Sequence, residues 1–421
     1  MSAGAGPSAC RSCGATALAP VLDLGQMPLA NALVDPEGPS DRPERRFPLE
    51  VAFCPSCALV QILHSVPPAD LFHDYPYFSS WSTTMVDHAR ALVERVVASR
   101  GLGAQSRVVE VASNDGYLLH WYVARGVPAL GIEPAANVAA VARARGVPTE
   151  AVFFDEEVAR RLVETGGHAD VVHANNVLAH VPDPNGFVTG LRVLIGSRGI
   201  AIIEVPYVRP LIEQALFDTI YHEHLFYFSL TSVARLFERN GLALADVERL
   251  PIHGGSLRLT VRAASGVGGV AAPAQECSAA AALLAEERAL GMTEHAFYAG
   301  LRPRVETVRD QLRGLLKGLR AAGHTVAGYG AAAKGAVLLN AFEIGRETLA
   351  FVVDRSPHKR GKRMPGVGLP ISAPERLLAD MPAFTLLLTW NFADEILAQQ
   401  VEYRRRGGRF ILPFPEPRVL A

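Results

Sequence analysis

Four of the chain's five cysteines fall into two Cys-x-x-Cys pairs, Cys10 with Cys13 and Cys54 with Cys57, with forty residues between the pairs. Each pair can sit on a tight turn and offer two thiolates to one ion, and together they match a tetrahedral zinc site. Four cysteine ligands leave no position for water, so the expected role is structural. The competing reading, a redox pair, needs a thioredoxin-like setting that is missing here. Cys277 stands alone in an Ala-rich stretch and reads as a small packed residue.

A second set of polar residues ends a series of apolar strands. The segment Val108-Val109-Glu110-Val111 runs into Ala112-Ser113-Asn114-Asp115-Gly116-Tyr117 and then into a helix. Gly116 lets the backbone approach a ligand, and the helix start offers free N–H groups. The next strand ends at Glu133, whose carboxylate can accept both ribose hydroxyls of an adenosyl ligand. A third ends in His173-Ala174-Asn175-Asn176. Each alone is an ordinary strand-to-helix turn. Three polar strand ends on one sheet edge form the crevice in which α/β sheets bind ligands. The loop lacks the Gly-x-Gly-x-x-Gly spacing that cradles a pyrophosphate. That favours S-adenosylmethionine (SAM), which has no phosphate.

The run Tyr221-His222-Glu223-His224 concentrates titratable groups between apolar segments, and His180 lies four residues past Asn176. Histidine is the side chain suited to proton transfer near pH 7. The plainer readings are a solvated loop for the run and a helix-end histidine for His180. Further on, Gly328-Tyr329-Gly330 follows an apolar strand and Lys334 opens a helix. Glycines, free N–H groups and a lysine suit a phosphate. Lys334 is one of only four lysines in the chain. Asp354 at the next strand end leaves an NAD-type reading open, although the third glycine of that fingerprint is missing. Asn340 and Asn391 are further polar candidates beside this crevice.

These residues need two α/β frameworks to hold them. Strand patterns at 107–112, 128–133, 169–174 and 199–206 alternate with helical ones, which argues for a parallel sheet covered by helices. An Ala-rich helical region spans 276–322, after a Gly-, Ala- and Pro-rich stretch at 266–274. A second alternation follows, with strands at 324–329, 349–354, 384–390 and 409–414. The expected domains are a zinc-binding unit at 1–75, a SAM-binding unit at 76–255 and a nucleotide-binding unit at 256–421. The 421 residues carry a formal net charge of −1, so no electrostatic case exists for nucleic acid or a membrane surface. No apolar run is long enough for a membrane span, and Met1–Pro7 has no apolar signal core. A cytoplasmic monomer is the expectation.

Together these motifs resemble the class I SAM-dependent methyltransferases, and more narrowly the three-domain sugar C-methyltransferases of deoxysugar pathways in antibiotic-producing bacteria. The resemblance rests on the cysteine pairs, the loop 110–116, Asn175 through His180, the run 221–224 and Gly328 through Gly335. It implies a small zinc domain, a Rossmann-like methyltransferase domain and a second Rossmann-like domain holding the nucleotide half of the substrate. The implied reaction is methylation of a dTDP-4-keto-6-deoxyhexose, at C3 in preference to C5, through an enolate. The implied general base is His224, with Glu223, Tyr221, His180, Asn176 and Tyr75 around the sugar. Glu110, Ser113, Asn114, Asp115, Gly116, Glu133 and Asn175 are then the cofactor residues. Ser79, Tyr329, Gly330, Lys334, Asn340 and Asn391 are the substrate-binding ones. Rival readings are a methyltransferase of a non-sugar keto substrate, an NAD-dependent sugar dehydrogenase, and a catalytically silent scaffold.

Overall fold

The computed structural model describes residues 9–36, 44–67, 71, 78–264 and 278–420. Tyr75, Cys277 and the stretch 266–274 lie outside them.

The N-terminal layer is an antiparallel sheet of β1 (Ala19–Pro28), β2 (Arg46–Phe53) and β3 (Val60–Ile62). Its fourth strand comes from far along the chain.

The middle sheet uses β4 (Val108–Val111), β5 (Ala129–Ile132), β6 (Thr149–Glu150), β7 (Val171–Asn175) and β8 (Ile200–Pro206), all parallel. β4 and β7 are buried along their whole length, as strands covered by helices on both faces must be. Next comes β9 (Phe226–Tyr227), which leaves this sheet and pairs with β3 of the N-terminal layer. The residues just before it, 221–224, are thereby held at the seam of two domains. β10 (Leu242–Leu250) and β11 (Ser256–Ala263) return antiparallel, and β11 pairs with β8. The sheet order is β10-β11-β8-β7-β4-β5-β6. β11 therefore belongs to the middle sheet and passes the boundary expected at 255.

Helices are fixed by local chemistry. Asp183 caps Pro184–Ile195 by accepting from the N–H groups of Asn185 and Gly186. Ser229 and Ser232 form a reciprocal cap on Leu230–Arg239. The buried Glu287 carboxylate adds bonds from the N–H groups of Leu230 and Thr231, at 2.7 and 2.8 Å.

The C-terminal sheet comprises β12 (Val326–Tyr329), β13 (Val352–Val353), β14 (Ile371–Ser372), β15 (Phe384–Leu387), β16 (Arg409–Leu412) and β17 (Arg418–Leu420). Its order is β14-β13-β12-β15-β16-β17, parallel except for β17. The long helix Leu301–Ala321 precedes it, burying Leu301, Val305, Val308, Leu312 and Leu316 at three- and four-residue spacing. Each α/β sheet reverses strand order at one place, between β4 and β7 and between β12 and β15. Such a reversal opens a crevice at the carboxyl ends of the strands. The two crevices border one cavity.

Candidate active site

The cysteine pairs come together as the spacing requires. Cys10 Sγ lies 3.6 Å from Cys57 Sγ, and Cys13 Sγ lies 3.6 Å from Cys54 Sγ. All four sulfurs fall within 4.8 Å of one another. Zinc–sulfur bonds of about 2.3 Å in a tetrahedron put sulfurs about 3.8 Å apart, so the donor set fits zinc. The two turns match each other. Gly14 N–H donates to the Cys10 carbonyl and Ala58 N–H to the Cys54 carbonyl, each at 2.8 Å.

A cavity of about 720 Å³ runs between the middle and C-terminal sheets, with Asn31 of the N-terminal layer on its wall. On the middle-sheet side it is lined by Asn114, Glu133, Asn175 and Asn176. The Glu133 carboxylate accepts from the N–H groups of Asn114 and Ala135, each at 2.9 Å. Burial raises its pKa, and those two donors oppose the rise. Each carboxylate oxygen keeps a lone pair for a further donor. Ser79 also lines the cavity, and its N–H donates to Asn114 Oδ1 at 2.8 Å.

Four of the expected cofactor residues stand behind the wall instead. Glu110 is buried within β4, its carboxyl pushed well up by burial and by Glu133 and Asp115 nearby. Ser113 is buried against Gly131. Asp115 turns inward to an ion pair with Arg145 at 3.0 Å. Gly116, at φ +77°, packs on Val147 and makes the turn.

The catalytic candidates converge from two elements. His224 Nδ1 lies 2.9 Å from the Thr219 carbonyl, which fixes the proton on Nδ1 and leaves the lone pair on Nε2. The Tyr221 hydroxyl lies 2.7 Å from that Nε2. The His180 ring meets the His224 ring edge to face, with centroids 4.7 Å apart. Tyr221, His224, His180 and Asn176 all line the cavity. Burial, then His180, then Lys334 and His253, hold the His224 imidazole well below the ordinary histidine pKa, against the Thr219 bond. Burial takes His180 down to about 4.

The other two members of the run face away. His222 reaches the Pro48 carbonyl at 3.3 Å and packs on Phe47, so it fastens the N-terminal layer to the site. Glu223 is buried off the cavity, where Asn31 Nδ2 donates to its Oε1 at 2.7 Å. Burial raises the Glu223 carboxyl to about 7.

On the C-terminal side the cavity is lined by Ala332, Ala333 and Lys334 at the start of helix Ala333–Ala341, and by Lys359, Thr389 and Asn391. The Lys334 ammonium sits 4.6 Å above the centre of the Trp390 ring and 3.4 Å from the His253 carbonyl. Burial lowers its pKa to about 8, with Asp218 opposing. Asp218, itself raised to about 7 by burial, accepts from Trp390 Nε1 at 2.7 Å. Three expected substrate residues do not reach the cavity. Tyr329 is buried with its ring edge on Phe410, and Gly330 packs against Thr389. Asn340 donates to the carbonyls of Ala336 and Pro365 at 2.8 and 2.9 Å, pinning a loop. Asp354 likewise stands off the cavity, bonded by the N–H groups of Ala331 and Ser356.

The sequence reading missed Asn31, His253 and Lys359. Scarcity of lysine was a usable signal for Lys359, and His253 precedes two glycines between strands. Nothing local marked Asn31.

Family models match in three consecutive pieces: a zinc binding domain at 10–72, a methyltransferase domain at 84–247 and a C-methyltransferase C-terminal domain at 251–415. The chain is 39% identical over 412 residues to the C-methyltransferase NovU of Streptomyces niveus, covering 98% of this chain and 96% of that one. Among solved structures it is similar to magnesium protoporphyrin IX methyltransferase (ChlM) from Synechocystis with bound SAM. That match has 15% identity and a TM-score of 0.33, over 42% of this chain and 79% of that one. A SAM-dependent methyltransferase from Anabaena variabilis matches at 13% identity and a TM-score of 0.33, over 41% of this chain and 84% of that one. With the relative aligned almost end to end and all three domains matched in order, the chain belongs to the zinc-domain C-methyltransferases, SAM-dependent enzymes that methylate carbon.

Proposed function

We propose that the enzyme methylates a carbon beside the ketone of a dTDP-4-keto-6-deoxyhexose, at C3 in preference to C5, on a route to an antibiotic deoxysugar. One observation carries this reading. The His224–Tyr221 pair, the strand-end Glu133 and the Lys334 helix start border a single cavity. A nucleotide-linked sugar spans such a cavity, with its diphosphate at Lys334 and its ring beside His224.

Glu133, Asn114 and Asn175 would hold the adenosyl and methionine parts of SAM. When bound, SAM supplies an electrophilic methyl on a positive sulfur. Residues of this chain then have one chemical task, removal of a weakly acidic C–H proton. His224 is neutral at pH 7 with its lone pair on Nε2, so it is the base. Tyr221 donates its O–H to that nitrogen and holds the ring in line. His180 and Asn176 border the same space and orient the sugar, and Glu223 keeps the run in place from behind. Ser79 and Asn391 contact the substrate from either end. Lys334 neutralises phosphate charge at a helix start, and Lys359, which donates to the Ala331 carbonyl at 2.9 Å, lines the same wall.

A non-sugar keto substrate would leave the Lys334 half of the cavity without a task. An NAD site would need Asp354 on the cavity wall, where Glu133 stands and Asp354 does not. The test is a panel of dTDP-4-keto sugars incubated with enzyme and SAM, read by mass spectrometry, with NMR locating the new methyl. No methylated product from any member refutes the proposal.

A further inference from the structure

The turn between β10 and β11 carries His253 in a left-handed backbone conformation, at φ 56° and ψ 19°. Residues with a Cβ seldom adopt it, and those that do concentrate at functional sites. Gly254 and Gly255 follow at φ +89° and +116°, and a Cβ on either would strike Trp390 or Pro210. The turn is therefore packed on both sides, and His253 is the residue of it that borders the cavity, its ring beside Phe392 of the same wall.

That imidazole is close to the base. His253, Thr219 and Tyr227 border both the main cavity and a recess of about 20 Å³. Thr219 supplies the carbonyl that fixes His224, and the Tyr227 ring lies 6.4 Å from the His224 ring. Among the described residues no hydrogen bond reaches either ring nitrogen of His253, and Phe392 touches the ring edge to face at 6.1 Å. The backbone carbonyl of His253 instead accepts from Lys334. His253 thus ties the phosphate-facing lysine to the wall that carries Thr219 and Tyr227. Burial, with Lys334 and His88 outweighing Glu204, holds it neutral, at about 4. A neutral imidazole offers one N–H donor.

We propose that His253 is a catalytic residue whose imidazole N–H bonds the ketone oxygen of the substrate while His224 takes the neighbouring proton. This rests on the keto-sugar reading above. The C–H bond breaks and its proton goes to His224 Nε2. The freed electron pair forms the carbon–carbon double bond, and the carbonyl π pair moves to oxygen. The negative charge growing there faces the His253 donor, which is already in place.

His253→Gly removes the ring and suits the left-handed backbone, and His253→Asn keeps a donor on a residue that tolerates it. Four quantities are measured: SAM affinity by calorimetry, KM for a dTDP-4-keto-6-deoxyhexose, kcat, and exchange of the acidic C–H with deuterated solvent in the absence of SAM. His253→Gly is expected to keep SAM affinity and KM within about threefold and to lose on the order of 10²- to 10³-fold in both kcat and exchange. His253→Asn is expected to recover about tenfold of that loss. If His253→Gly does not bind SAM, His253→Asn decides, and wild-type exchange in it overturns the inference. Wild-type exchange and kcat in His253→Gly, or a loss confined to KM, also overturn it. A wild-type enzyme that exchanges no keto-sugar proton overturns the substrate reading itself, and this inference with it.

Discussion

His224→Asn separates binding from chemistry at the proposed base. The Thr219 carbonyl fixes Nδ1 as the donor and leaves Nε2 as the accepting nitrogen. An asparagine amide can still donate to Thr219 and fill part of the ring's volume, but it cannot take a proton near neutral pH. Loss of a general base costs on the order of 10²- to 10⁴-fold, or about 2.7–5.4 kcal/mol of transition-state stabilisation. The upper half of that range is expected. The Thr219 carbonyl and the Tyr221 hydroxyl hold the His224 ring from its two nitrogens, at 2.9 and 2.7 Å, so His224 is the positioned base of the two facing histidines. The pH dependence has a definite sign. Burial and the neighbouring His180, Lys334 and His253 lower the His224 pKa, so its neutral form persists below pH 6.5. The acid limb of kcat should therefore sit below the ordinary histidine range, and a limb centred at 6.5 or above contradicts the assignment. The direct assay is proton–deuterium exchange at the substrate carbon without SAM, followed by NMR, beside turnover with SAM. His224→Asn should bind both ligands and lose both signals. Wild-type exchange in His224→Asn, with loss in His180→Asn or His222→Asn, would show that the wrong histidine has been chosen.

The other sites give separable outcomes. Cys54→Ser should lose zinc by metal analysis and unfold at lower temperature, because a four-thiolate zinc contributes on the order of 10 kcal/mol; full zinc content at full stability contradicts the site. Glu133→Gln keeps the buried shape and should weaken SAM binding by about tenfold or more, since a bond to a charged acceptor is worth roughly 1.5–3 kcal/mol; calorimetry with unchanged affinity counts against it. Lys334→Ala should raise KM for the nucleotide sugar by about 10- to 100-fold at unchanged SAM affinity, and tight NAD binding there would revive the dehydrogenase reading. Asn31→Leu removes the 2.7 Å bond to Glu223 and should lower kcat by about tenfold with zinc retained; unchanged kcat would reduce Asn31 to a cavity-wall residue.

Apolar strand runs ending in polar residues made both α/β sheets legible, because parallel strands buried on both faces leave a continuous pattern. The zinc site was legible because four thiols at that spacing have few other uses. Which polar side chains face the ligand was not. After β4 the chain turns through left-handed Ala112 at φ 56° and Asn114 at φ 49°. This turn sends Asn114 to the cavity while Ser113 and Asp115 go inward. In the run 221–224, the His224 N–H bonds back to the Tyr221 carbonyl at 2.8 Å. That tight turn puts residues 221 and 224 together on the cavity side and sends 222 and 223 to the N-terminal layer. Asn340 was misplaced for a related reason. Its bond to the Ala336 carbonyl, one helical turn back, is fixed by how the helix packs, which no spacing reveals. Asn31 and Glu223 are 192 positions apart, and only the docking of the zinc domain joins them.

That docking gives a structural zinc a place in this enzyme. The run 221–224 has little regular structure of its own between Thr219 and Phe226. Its position is set from both sides. From the N-terminal layer, β3 pairs with β9, the Pro48 carbonyl meets His222, and Asn31 meets Glu223. From the middle domain, the Ala179 carbonyl accepts from the Leu225 N–H at 2.7 Å, one residue before His180. The zinc layer is small, and layers of that size need a staple to hold their shape. Four thiolates on one ion supply it at the end of the sheet where β2 runs through Cys54 and Cys57 into β3. A rigid N-terminal layer then holds 222 and 223 in place, and through them the ring of His224.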